Sequence, residues 1–179
     1  MNYQNDKKSY GQNNYNGYNR NNPNSNSSSN SDRVEKDYSN IIPCIEDGMN
    51  NDYCERIEKE VKDNFAKISV SQLRKFFSAV KLLEQKGMAK NLNELIMLKP
   101  KLAYAVGRDR NNKALQDFYV LVSKVIESTY NKLKQADNKD SESSESSVKA
   151  SKETKRITQN FVDFFEAIIA YHKLYGKQQ

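Results

Sequence analysis

The stretch "LRKFFSAVKLL", residues 73–83, decides how this chain folds. Leu73, Phe76, Phe77, Val80 and Leu83 recur at i, i+3, i+4, i+7 and i+10, which draws one stripe down an α-helix. A strand would send Phe76 and Phe77 to opposite faces and break the stripe. Ser69 or Ser71 can cap the start of this helix, and Gly87 is a natural stop.

The same spacing extends outward in both directions. Upstream, Asn51 and Asp52 can cap a helix to about residue 67 that buries Ile57, Val61 and Phe65. Downstream, Asn91 caps a short turn through Leu98. Pro100 then suits the first turn of a helix over 100–108, which buries Leu102, Ala105 and Val106, with Leu98 in line just before it. "RDRNN" breaks the pattern. Leu115, Phe118, Tyr119, Val122, Val125 and Ile126 mark a longer helix to about residue 134. A last helix, 152–175, carries Phe161, Phe164, Phe165, Ile168 and Ile169. No segment of this part alternates as a strand does. The expected fold is all-α, a compact bundle of about five or six helices over residues 49–177.

Two segments fall outside the periodicity. The first 30 residues hold 11 Asn and four tyrosines (Tyr3, Tyr10, Tyr15, Tyr18) with almost nothing aliphatic. So little apolar surface cannot offset conformational entropy, so residues 1–48 are expected to be a disordered tail. Its tyrosines could be merely solvated or could stack on bases. "DNKDSESSESSVKA", residues 137–150, reads as a flexible acidic linker inside the bundle.

Charge narrows the function classes. Residues 1–48 carry five Lys/Arg against six Asp/Glu, so the net +6 of the chain belongs to the helical part. A basic bundle suits a polyanionic partner. Catalysis lacks parts. His172 is the only imidazole, and it continues the apolar stripe of Phe165 and Ile168, as a core-facing residue would. No Gly-rich phosphate loop occurs. Cys44 and Cys54 form no CxxC pair, and one His cannot complete a zinc site. No metal, no cofactor and no catalytic residue is expected. Neither a membrane span nor a secretory signal is read, and a cytoplasmic location is expected.

Polyanion binding needs only cations held on a rigid surface. On the 100–108 helix, Tyr104 and Arg108 lie within about 60° of Lys101, at about 100° per residue. This strip flanks the apolar side, with Lys99 and Arg110 at its ends. On the 73–83 helix, Arg74, Ser78 and Lys81 recur at i, i+4 and i+7, with Lys67 and Lys75 nearby. The two strips are expected to form one surface. Each could also be an ordinary solvated face.

Three blocks add a likeness. "SQLRKFF" (71–77), "LKPKLAYAVGR" (98–108) and "FVDFFEAIIAYHKLYG" (161–176) resemble, in order and character, the small subunit of type III-A CRISPR effectors, the Csm complex. The likeness covers about residues 51–176. It departs at Gly176-Lys177, where members often carry a Gly-Gly pair. It implies a non-catalytic helical subunit of an antiviral RNA-guided complex. Copies of it would stack and line the channel holding crRNA and target RNA, touching the backbone without reading sequence. Cleavage would belong to the repeated backbone subunit, and cyclic oligoadenylate synthesis to the large subunit. RNA contact would carry over to Arg74, Lys75, Lys81, Lys101 and Arg108. The alternative is a protein-only helical adaptor without nucleic-acid contact.

Overall fold

The stripe of residues 73–83 is the inner face of a helix that runs Val70–Lys86, called α3 here. The structure, a computed structural model, describes residues 36–138 and 144–176. The expectations for residues 1–35 and 139–143 lie outside the described residues. In chain order the helices are α1 Cys44–Asp47, α2 Asn51–Glu60, α3, α4 Leu92–Ile96, α5 Leu98–Arg108, α6 Lys113–Asn138 and α7 Ser144–Tyr175. A π-helical turn, Val61–Phe65, continues α2, and a 3₁₀ turn, Met88–Asn91, joins α3 to α4. No strand occurs among the described residues. The fold is all-α, as the periodicity requires.

Local chemistry sets the helix ends. The Asn50 side chain accepts a hydrogen bond from the Tyr53 N–H at 3.0 Å, one residue before the expected cap. Gly87 ends α3 at φ 85°, a left-handed value that glycine adopts without a Cβ clash. Asn91 does not cap α4. Its Nδ2 donates to the carbonyls of Lys86 and Gly87 at 3.0 and 2.9 Å, so it closes the end of α3. Pro100 falls in the first turn of α5, where a missing N–H costs no intrahelical bond. Asn112 accepts from the Leu115 N–H at 3.1 Å and opens α6.

α7 is the spine of the core. It packs against α1, α2, α3 and α6, while α5 lies on α6 and touches α3. Aromatic rings tie these elements at their crossing. Phe76 of α3 meets Phe118 of α6 at 6.2 Å and Phe165 of α7 at 5.4 Å between ring centroids. Phe65 meets Phe118 edge-on at 5.5 Å. Phe161 and Phe164 flank Phe165 at 5.0 Å each. All but the tilted Phe76–Phe165 pair are edge-to-face, and such pairs add about 0.5–1.5 kcal/mol each beyond area burial.

Two sequence expectations are corrected. The tail does not reach residue 48: Tyr38, Ile41, Cys44 and Ile45 are fully buried members of the core. Polar ties hold this leader in place. The Tyr38 hydroxyl donates to the Asp117 carbonyl at 3.4 Å, Arg56 donates to the Asn40 carbonyl at 2.6 Å, and Asn160 donates to the Ile45 carbonyl at 3.0 Å. Asn/Tyr-rich composition hid a short apolar cluster at its end. Likewise, helix covers much of the supposed linker. α6 continues to Asn138, α7 starts at Ser144, and Ala150 is buried.

His172 is buried on α7, and its Nε2 has no hydrogen-bond partner. Burial lowers its pKa, against a smaller opposing pull from the Ile68 and Phe65 carbonyls. The fold therefore favours the neutral ring. The unfolded chain takes up a proton near pH 6.5, so stability is present above that pH and falls as pH drops below it. Melting followed from pH 8 to pH 5 should show this decline, and His172→Gln should flatten it. Separately, Tyr38→Ala should cost about 3 kcal/mol or more in chemical denaturation. A change within about 0.5 kcal/mol, as at a surface site, would remove the leader from the core.

Candidate functional site

α5 carries its basic strip because its other side is committed to packing. Leu98 and Leu102 are buried, and Ala105 and Val106 pack partly against the core. That orientation leaves Lys101, Tyr104 and Arg108 facing out. Tyr104 is 69% exposed, so it is neither packed nor covered. The Arg108 guanidinium lies 5.9 Å from the centre of its ring, a cation–π distance.

These residues form one wall of a groove between α5 and α3. Its volume is about 920 Å³. Lys101, Tyr104 and Arg108 line it from α5, and Gln72, Lys75 and Ala79 line it from α3. Its floor is the edge of the core, including Leu73, Phe76, Leu102 and Phe118. Asp109, the one acid of the lining, is held by the Asn112 amide at 2.9 Å. Lys75 and Lys101 form no ion pair among the described residues. Among the described residues, Arg108 makes its side-chain contact with the Tyr104 ring and no ion pair.

The single surface expected from both strips is not formed. Lys75, Lys101 and Arg108 converge on the groove. Arg74 and Lys81 lie on the other flank of α3's buried stripe and do not line it. Arg74 is exposed on the outer face of that helix. Lys81 leans toward α7 and pairs with Glu84 at 2.7 Å and Glu166 at 3.5 Å. Its hydrogen bond to Glu84, helped by Glu166, raises its pKa. Ser78 turns its hydroxyl back to the Arg74 carbonyl at 2.9 Å. Lys99 does not extend the α5 strip either, because it pairs with Glu127 of α6. Arg110 stays exposed and bonds the Gly107 carbonyl at 3.3 Å.

The groove itself was missed in the sequence. Its signal is slight: Ala79 and Ala105 are small residues at partly buried positions, where larger side chains would fill the space. Among the described residues, no group of three His, Cys, Asp or Glu could hold a metal ion. None of the described helices is long and apolar enough to cross a membrane.

Fold and groove together define a class: a basic helical bundle that presents cations on a rigid surface. The family model described as Csm2 Type III-A matches residues 49–178, and the chain belongs to that family, the small subunit of the type III-A CRISPR Csm complex. No curated protein and no solved structure matches it significantly. The matched span begins after the buried leader, so Tyr38, Ile41, Cys44 and Ile45 complete this core from outside it.

Groove cations and core residues should separate cleanly in a denaturation series. Lys75→Glu, Lys101→Glu and Arg108→Glu should each leave stability within about 0.5 kcal/mol of the parent. Leu102→Ala, under the same strip, should lose about 2–5 kcal/mol.

Proposed function

We propose that this small subunit binds RNA within its effector complex, touching the phosphate backbone of crRNA and target RNA without reading sequence. One observation carries the reading. In a member of this family, Lys75, Lys101 and Arg108 meet at one groove beside an exposed tyrosine, three cations against the single acid Asp109, and none of the three forms an ion pair among the described residues. Cations left free on rigid helices are what a polyanion needs, and phosphate contacts position a strand without specifying its bases. In guide-based systems base pairing supplies the sequence information, so such a subunit needs only charge and shape.

Copies of the chain stack along the complex in this reading, beside the large subunit and the repeated backbone subunit. The chain performs no chemistry, requires no cofactor, and works in the cytoplasm in antiviral defence. Lys75, Lys101 and Arg108 are the primary contacts. Arg74, exposed on the outer face of α3, is a separate contact outside the groove, and Lys81 is a weaker contributor because Glu84 and Glu166 already hold its charge.

The assembled complex is the object to test. Lys75→Glu, Lys101→Glu and Arg108→Glu should each weaken binding of unrelated RNA sequences to a similar degree. Each lost phosphate contact should flatten the slope of log affinity against log salt by roughly 0.7–0.9. Lys81→Gln should do less. Parental affinity and slope in all three groove variants would overturn the reading in favour of a protein-only adaptor.

A further inference from the structure

We infer that the groove between α3 and α5 is a base-binding site, taking one nucleobase turned out of an RNA strand while its phosphate rests on the cationic rim. This rests on the RNA reading above and goes beyond it, since backbone contact alone needs no groove. The chemistry of the lining has two parts. Lys75, Lys101 and Arg108 form the rim, and they suit an anion. The space beneath them is apolar, with Phe76 and Phe118 at its floor and Ala79 and Ala105 on its sides. A ligand that satisfies both parts has a negative group joined to a flat, weakly polar ring, which describes a nucleotide. The volume, about 920 Å³, falls within the roughly 300–1,000 Å³ of small-molecule sites.

Tyr104 strengthens the assignment. A ring 69% exposed gains nothing from the core. It offers an aromatic face, with the Arg108 guanidinium 5.9 Å from its centre, and aromatic faces beside cations are where bases stack.

Other occupants match less well. Residues 1–34 of this chain bring aromatic rings, but they carry four Lys/Arg against two Asp/Glu, the wrong sign for this rim. A second copy would offer Leu174, 68% exposed, but Lys173 beside it repeats the rim's charge. An acidic amphipathic peptide fits the charge but makes no use of the exposed Tyr104 ring.

The test uses the full chain, alone and in the assembled complex. The probe is a short oligouridine carrying one 2-aminopurine, compared with the same strand carrying an abasic residue there. The fluorescence of 2-aminopurine should be quenched on binding, and the abasic strand should bind more weakly. Tyr104→Ala should lower affinity about 5- to 150-fold, the range of one base–aromatic stack, and should remove the quench. Ala79→Leu, which narrows the groove without touching a charge, should also remove the quench, with unchanged circular dichroism as the check on folding. If the charge variants weaken binding while the abasic strand, Tyr104→Ala and Ala79→Leu all behave like the parent, the base site is refuted and backbone binding stands. If no RNA binds in either form, both readings fall. If Ala79→Leu keeps RNA binding and its quench but releases another subunit from the complex, the groove holds a peptide and the base site is refuted.

Discussion

The contact of Phe76 with Phe118 and Phe165 sets the rotation of α3, and the surface chemistry of the protein depends on that rotation. With Phe76 pinned between α6 and α7, Leu73, Val80 and Leu83 must also turn inward. Gln72, Lys75 and Ala79 then fall on the flank facing α5, and Arg74 and Lys81 fall on the other. A turn of α3 by one residue, about 100°, would exchange the cations at the groove and expose part of the stripe. The rings prevent this because aromatic pairs have preferred geometries and a close-packed core does not deform smoothly.

The rim is rigid for a related reason. α5 is short, and it is anchored by Leu98 and Leu102 below and by the Lys99–Glu127 pair at its side. An exposed ion pair of this kind adds little energy, but it spends one of the strip's cations on holding the helix to α6. Lys101 and Arg108 form no ion pair among the described residues. Asp109, the nearest acid in sequence to Arg108, accepts a hydrogen bond from the Asn112 amide and forms no ion pair with Arg108 among the described residues. Membership in the Csm small-subunit family gives these charges a setting, a type III-A CRISPR Csm complex with other subunits.

Much of the architecture is legible in the amino-acid sequence. The stripe on α3, the proline in the first turn of α5 and the phenylalanines of α7 each mark a helix and its buried side. The leader was not legible. Tyr38, Ile41 and Ile45 sit at the end of a polar segment, and their burial depends on Asp117, Arg56 and Asn160, residues distant in sequence. The early start of α7 was hidden similarly, because Ser- and Glu-rich composition is compatible with helix when a neighbour buries Ala150.

The sequence alone determined which residues share a face within each helix, because 3.6 residues per turn fixes those angles locally. Lys101, Tyr104 and Arg108 could be grouped on that basis, and so could Arg74, Ser78 and Lys81. Only the tertiary structure decided which groups meet. The rotation of one helix against another is set by side chains of several elements packing at once, here Phe76, Phe118 and Phe165. That packing brought Lys75 to the groove, gave Lys81 to Glu84 and Glu166, and left Tyr104 open to solvent.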